Sequence, residues 1–133
     1  MEKAQVMLCS RGEWGKFPSP ETHLFEVKVD GIRCLATKRG EAVSLRGRSG
    51  EDYTRAFPEV VAALRKLPGS LTLDGELCSE GGWSFGRIAG RVHLRDPFKI
   101  SLRARTDPAV FWVFDILELE GLSLTGLPLV DRK

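Results

Sequence analysis

Several features that define whole classes of protein are missing from this sequence. Its 133 residues contain no apolar run of about 18 residues, the length that crosses a membrane, and no basic and apolar leader. Cysteine is scarce, and Cys9, Cys34 and Cys78 are odd in number and widely spaced, which fits neither a disulfide framework nor a zinc site. We therefore expect one soluble, cytoplasmic domain with reduced thiols and no membrane partner.

An excess of charge of one sign is missing as well. Lys and Arg number 20 and Asp and Glu 18, a net charge of +2, so no basic field covers the whole molecule. Residues 87–105, however, hold five arginines and one lysine against the single acidic residue Asp96. This stretch is either the solvated face of a helix or a track for a phosphate backbone, with Arg87, Arg91 and Arg95 as the candidate contacts.

The apolar pattern predicts a mixed α+β domain with a largely antiparallel sheet and packed helices. Hydrophobic residues make up 42% of the chain, enough for a core. Helices are predicted from Pro58 to just before Pro68, and from Ser84 as N-cap to about His93, with Pro97 preventing any continuation. Strands are predicted at Leu24–Asp30, Arg33–Thr37, Ala42–Leu45, Leu71–Leu77 and Val110–Leu117, the last as a buried central strand.

The first predicted strand carries a candidate nucleophile, Lys28. Side chains alternate between the two faces of a strand. The pattern therefore predicts an apolar face toward the core and a polar face opposite, formed by Phe25, Val27 and Val29 and by Glu26, Lys28 and Asp30. The alternative is an amphipathic edge strand whose polar face is only solvated.

Carboxylates recur on the other apolar strands, as Asp74, Glu76 and Asp115. A charge in an apolar strand is costly unless it is paired or binds a metal ion. If the strands are neighbours, these carboxylates converge on the Lys28 amine. In the alternative interpretation they form buried ion pairs with Arg33 and Arg48.

Five motifs in order give a resemblance to one family. Residues 28–33, Lys-Val-Asp-Gly-Ile-Arg, resemble the K-x-D-G-x-R signature of ATP-dependent DNA ligases and related capping enzymes. Four later segments are similar to the ligase motifs that follow. Gly47–Glu59 resembles S-R-x-G…T…F-P-E, with glycine in place of its first serine, and Asp74–Glu76 resembles D-G-E. Phe114–Leu117 resembles F-D-I-L, and Pro128–Lys133 resembles P-L-x-x-R. Ser84-Phe85 and Arg91 resemble the S-F…R of bacterial and archaeal end-joining ligases. The resemblance spans Met7 to Lys133, and its S-R-x-G and F-P-E elements favour a DNA ligase over a capping enzyme.

The resemblance implies a partial nucleotidyltransferase fold and a role for each matching residue. Lys28 would attack the α-phosphorus of ATP and form a lysyl-adenylate, which passes to a DNA 5′-phosphate before a 3′-hydroxyl seals the nick. Glu26 would contact the adenine, Phe114 would stack on it, Arg33 and Glu76 would hold the ribose and phosphate, and Arg48 would lie near a phosphate. Glu76 and Asp115 would bind Mg²⁺ or Mn²⁺, and Arg87, Arg91 and Arg95 would contact DNA.

The implied partner is nicked or broken double-stranded DNA in repair and recombination, so the protein would associate with the nucleoid when bound. A further acidic motif, a final lysine pair and an OB-fold domain are expected beyond P-L-x-x-R and do not follow Lys133. We therefore expect the N-terminal portion of an adenylation domain, incomplete alone, with a second chain supplying the other half if the enzyme is split. The alternatives are a non-catalytic module that binds nucleotide or DNA ends, and an RNA ligase or capping-type enzyme.

Overall fold

Five antiparallel strands form one sheet in the part of the chain that the computed structural model describes, residues 6–16 and 18–133. The order across the sheet is β2-β1-β3-β4-β5, from β1 Ile32–Arg39, β2 Ala42–Gly47, β3 Leu71–Ser79, β4 Ala109–Leu119 and β5 Leu122–Ser123. The helices are α1 Pro58–Arg65, α2 Phe85–Ala89 and α3 Pro97–Thr106, with 3₁₀ helices at Gly90–His93 and Leu129–Arg132. This confirms the predicted α+β class. None of these helices is long and apolar enough to cross a membrane.

The first two strands form the predicted hairpin. Arg39 lies opposite Ala42 across a turn that contains Gly40, at φ 55°. Both strands are longer than predicted, so Lys38 belongs to β1 and Gly47 to β2. Lys38 is only 4% exposed, and its Nζ donates a hydrogen bond of 2.7 Å to the carbonyl of Gly69, which partly offsets the cost of burying the amine.

Helix α1 packs its apolar stripe against the sheet. Val60, Val61 and Leu64 recur at helical spacing and are buried in the same cluster as Phe57 and the sheet residue Leu73. Pro58 suits the first turn of a helix, where its missing N–H has no partner to lose. The predicted helix is therefore confirmed, and it packs mainly against β2 and β4.

A buried ion pair ties α1 to two later segments. Arg91 has a side-chain exposure of 1%, and it donates to the carboxylate of Glu59 in α1 and, at 2.7 Å, to the carbonyl of Ala56. The Glu59 carboxylate also accepts from the N–H of Ala109, the first residue of β4, at 2.9 Å. The guanidinium lies over the ring of Phe57. The Glu59–Arg91 pair thus joins helix α1, the 3₁₀ helix Gly90–His93 and strand β4.

The predicted strand Leu24–Asp30 is wrong. Residues 21–30 form no helix or strand, and Phe25 and Val27, expected in the core, are 62% and 73% exposed. β1 begins only at Ile32, where β2 and β3 occupy its two edges. An alternating pattern needs a strand beside it to hydrogen-bond, and within the described residues none pairs with this segment. The irregular lead-in predicted for the first twenty residues holds for 6–16 and 18–20, and residues 1–5 and 17 lie outside the described residues.

Three other expectations are corrected. The central strand is β3, which lies between β1 and β4 and is almost wholly buried, whereas β4 exposes Trp112 and Val113. Pro97, expected only to prevent a helix from continuing, is the first residue of α3. The N-cap residue of this helix is Asp96, whose side chain accepts a hydrogen bond of 2.9 Å from the N–H of Phe98. Ser84 occupies the N-cap position of α2 but makes no capping hydrogen bond with its side chain.

Candidate active site

Three neighbouring strands bring together Arg33, Asp74 and Phe114. Arg33 in β1 donates to both carboxylate oxygens of Asp74 in β3, at 2.6 and 2.7 Å, which is the strong two-bond geometry of a guanidinium and a carboxylate. The guanidinium also lies over the Phe114 ring of β4, 4.8 Å from its centroid. Hydrogen bonding to Asp74 raises the pKa of Arg33. The sequence left open whether the strand carboxylates pair with arginines, and Asp74 does so with Arg33.

Two motif glycines allow these strands to approach. A Cβ atom at Gly31 would collide with the main-chain carbonyl of Leu77 in β3. A Cβ atom at Gly75 would meet the carbonyl of Trp112 and the ring of Phe111 in β4. Any larger residue would therefore force β3 away from one of its two neighbours.

Lys28 lies in the irregular segment beside this cluster, and its charge acts on Glu76 of β3. Burial raises the pKa of Glu76 above its ordinary value, while the charges of Arg33 and Lys28 and a hydrogen bond from the N–H of Gly31 oppose the rise. A carboxyl group with a raised pKa holds a proton more readily. Glu76 is therefore a predicted carboxylate on which the Lys28 charge acts, and its role toward the Lys28 amine stays a prediction.

Glu26 and Phe114, the two residues predicted to hold an adenine ring, are joined by Lys133. The Lys133 Nζ donates to the Glu26 carboxylate and to the main-chain carbonyl of Phe114, and lies 6.0 Å from the Phe114 ring centroid. Both residues therefore border one small region at the end of the Arg33–Asp74 pair. The contact with adenine itself stays a prediction.

Asp115 is paired with Arg132. Arg132 donates to both of its carboxylate oxygens, each at 2.9 Å, and this hydrogen bonding lowers the pKa of Asp115. In the register of β3 and β4, Asp115 lies opposite Asp74, and Glu76 lies opposite Trp112. Within residues 6–16 and 18–133, no three His, Cys, Asp or Glu side chains gather as metal ligands. The binding of a metal ion by Glu76 and Asp115 stays a prediction.

The predicted phosphate contacts lie outside this cluster. Arg48 is exposed in the turn after β2. Arg87 is exposed and donates to the carbonyl of Gly81 at 3.0 Å, and Arg95 is exposed and donates to the carbonyl of Val92 at 3.0 Å. Arg91, by contrast, is buried in the Glu59–Arg91 pair, so its guanidinium is not on the surface. The contacts of Arg87 and Arg95 with DNA stay predictions.

Residues 7–133 match the family described as "ATP dependent DNA ligase domain". The chain belongs to this family. The match confirms the predicted family and the extent of the resemblance, Met7 to Lys133. Among curated relatives of this ligase domain, DNA ligase C of Mycobacterium tuberculosis is 34% identical over 86% of this chain and 32% of its own length. The bifunctional non-homologous end joining protein LigD of Bacillus subtilis is 35% identical over 82% of this chain and 19% of its own.

Solved ligase structures share the fold. The ligase domain of M. tuberculosis LigD has a TM-score of 0.59 at 34% identity, and covers 80% of this chain and 33% of that one. A mycobacterial DNA ligase D complexed with ATP and MES has a TM-score of 0.58 at 31% identity, with the same coverage of 80% and 33%. This ligase chain therefore spans about a third or less of the length of the relatives it matches.

The sequence left three parts of this surrounding open. Asp74, Glu76 and Asp115 were all offered as ion-pair partners of Arg33 and Arg48, and only the fold shows that Asp74 pairs with Arg33. The sequence places Arg132 and Lys133 in a motif but does not predict their partners. The fold brings Arg132 to Asp115 and Lys133 to Glu26. Helix α3 had a recognisable signal, because Asp96 before Pro97 is an N-cap residue followed by the residue favoured at the first helical position.

Proposed function

We propose that this chain carries the adenylation chemistry of an ATP-dependent DNA ligase, with Lys28 as nucleophile. The observation that carries the proposal is the place of Lys28 in the first ligase motif of a chain of this family, where the charges of Lys28 and Arg33 both act on Glu76. In the reaction the Lys28 Nζ forms a bond to the α-phosphorus of ATP. The α–β phosphoanhydride bond breaks and pyrophosphate leaves.

The chain's own residues have distinct parts in this step. Lys28 must lose a proton to attack, and Glu76, whose pKa burial raises, is the carboxylate proposed to receive it. Phe114 offers a ring face for the adenine, and Glu26 a carboxylate for its amino group. Arg33, fixed by Asp74, presents a rigid cation toward ribose and phosphate, because catalysis of phosphoryl-type transfer is mostly positioning and charge stabilisation.

The later steps need the DNA substrate. The AMP group would pass from Lys28 to the 5′-phosphate of a nick, and attack by the 3′-hydroxyl would release AMP and join the strands. Arg48, Arg87 and Arg95 are proposed to lie along the DNA. Mg²⁺ or Mn²⁺ would reach the site bound to the phosphates of ATP. A partner chain carrying the rest of the ligase domain is proposed for complete sealing.

Self-adenylation tests the proposal. The protein is incubated with ATP and MgCl₂, and intact-mass spectrometry is expected to find one added AMP in the wild type and none in Lys28→Ala. Lys66→Ala changes an exposed lysine of α1's C-terminus and is expected to label like the wild type. Absence of the adduct, even after addition of a relative's remaining ligase domain, would contradict the proposal.

The same assay separates the alternatives. The irregular, exposed position of Lys28 is the observation that favours a non-catalytic module, since such a module does not need an oriented amine. That module would bind ATP saturably without an adduct, and equally well in Lys28→Ala. Labelling by GTP, or sealing of a nicked RNA strand alone, would favour the capping-type or RNA ligase assignment.

A further inference from the structure

A basic cavity lies between the helices α2 and α3, outside the candidate active site. Its volume is about 360 Å³, and it is lined by four cationic residues and two glycines: Arg87, Arg91, Lys99, Arg103, Gly86 and Gly90. Leu94 and Leu102 complete the lining, and none of the lining residues is acidic. Such concentrated positive charge around an open space favours an anionic ligand.

The cations of this cavity are incompletely paired. Two carboxylates serve them: Glu59 pairs with Arg91, and Asp107 contacts both Arg87 and Arg103 at 3.4 and 3.3 Å. These last distances exceed those of tight charge-assisted hydrogen bonds, and Asp107 is also held by the hydroxyl of Ser79. Lys99 is exposed, which leaves its ammonium accessible.

Two buried donors support a ligand here. The Nε atoms of Arg91 and Arg103 are buried and have no hydrogen-bond partner among the described residues, and both arginines line the cavity. Arg91 is almost fully buried as a whole, at 1% exposure. Buried donors are seldom left unpaired in native proteins, so each such atom calls for a partner.

The two glycines leave one wall of the cavity open, and the cavity begins near the Lys28 segment. Added Cβ atoms would meet nothing within 4 Å at Gly90 and only the Ser84 hydroxyl, at 3.8 Å, at Gly86. A ligand can therefore approach the helix backbone closely. The N–H of Phe85, the residue before Gly86, donates to Asp30 of the Lys28 segment at 3.4 Å, so the cavity begins at the helix that touches the nucleophile's segment.

We propose that the cavity between α2 and α3 binds a backbone phosphate of the DNA substrate, through Lys99 and Arg103 with Arg87 at its mouth. The proposal rests on the DNA-ligase function proposed above, and adds two contacts that lie on a helix the sequence did not predict. Arg91 belongs to the wall of the cavity and holds it in place through Glu59.

Fluorescence anisotropy with a labelled, nicked DNA duplex over a range of salt concentrations tests this proposal. Lys99→Gln is expected to weaken binding about tenfold and to reduce the slope of log affinity against log salt by about one, as the loss of one phosphate contact predicts. Gly90→Leu keeps every charge but fills the cavity, and a similar loss of affinity is expected. Lys66→Gln is the matched control and should bind like the wild type.

Unchanged affinity and salt slope in both Lys99→Gln and Gly90→Leu would overturn the proposal. Thermal unfolding of each variant checks that it folds, and Lys99→Gln alters an exposed side chain only. If inorganic phosphate raises the melting temperature of the wild type but not of Lys99→Gln, while DNA affinity is equal, the assignment to DNA is wrong. Adenylation of the wild type is measured separately, so loss of the ligase function and loss of the cavity are distinguishable.

Discussion

Lys28 and Arg33 are close in sequence and belong to one motif, yet the structure holds them in opposite ways. Arg33 stands on β1, pairs with Asp74 through two hydrogen bonds and contacts the Phe114 ring. Lys28 stands in a segment without helix or strand, between Val27, which is 73% exposed, and the partly buried Val29. Arg33 is thus fixed by the sheet, while the Lys28 segment is contacted from outside the sheet, by Lys133 at Glu26 and by Phe85 at Asp30. Four predictions test this contrast, from the largest expected effect to the smallest.

Breaking one acidic partner in each region compares the two directly. Asp74→Ala removes the carboxylate from a pair whose side chains are 20% and 5% exposed, and is expected to lower the free energy of unfolding by about 3–5 kcal/mol. Glu26→Ala, whose pair with Lys133 leaves Glu26 47% exposed, is expected to cost less than about 1 kcal/mol. Urea unfolding measures both, and equal losses would contradict the contrast.

The glycines give a second comparison. Gly31→Ala places a Cβ atom against the main chain of β3, where neither strand can yield easily, and is expected to cost about 1–3 kcal/mol. Gly12→Ala meets nothing within 4 Å and serves as the matched control, with little change expected. Thermal unfolding of the two variants is the measurement. A neutral Gly31→Ala would mean that β1 and β3 are not held as close as the structure places them.

The buried thiol of β1 predicts a pH dependence. Burial raises the pKa of Cys34 from 9.0 to about 12. Above pH 9 the unfolded chain therefore loses this proton while the native state keeps it, so stability is lost progressively as the pH rises toward 12. Each pH unit in this window costs about 1.4 kcal/mol. Urea unfolding at pH 10 and 11 is expected to show this fall, reduced by about that amount in Cys34→Ala but not in Cys9→Ala, where the thiol is exposed.

The smallest effect is expected in the Lys28 segment itself. Val27→Thr replaces a side chain that is 73% exposed, and the free energy of unfolding should change by less than about 0.5 kcal/mol. Leu77→Ala in β3 removes a fully buried side chain and is expected to cost about 2–5 kcal/mol. A large loss in Val27→Thr would show that the segment packs in solution.

The sequence predicted the elements whose pattern is local and reinforced by turns. Hydrophobic periodicity predicts the β1–β2 hairpin, helix α1 and strand β3. Their ends are marked by residues that favour turns or helix ends, Gly40, Pro58 and Pro68. The segment at residues 24–30 shows the same alternation but pairs with no strand among the described residues, and pairing is a tertiary property that a pattern does not contain. The continuous apolar run of β4 predicted burial on both faces, yet one neighbour of β4 is only the two-residue strand β5.

Within the site, motif spacing identified the residues, and the fold determined their partners. Lys28 and Arg33 were identified as candidates from one motif, and Glu76 from another. The bond from Arg33 to Asp74 depends on the register of β1 and β3, which the sequence left open. The burial of Arg91 could not be foreseen either, because its partner Glu59 lies in another helix.

The Glu59–Arg91 pair also bears on the order in which the chain folds. Its partners are separated by 32 residues, and the bond from Glu59 to Ala109 spans 50. The hairpin of β1 and β2, by contrast, closes over a turn at Gly40. Contacts between distant residues must offset a larger loss of chain entropy before they form. The hairpin is therefore expected to form early during synthesis, and the sheet to become complete only once the segment beyond residue 109 has left the ribosome.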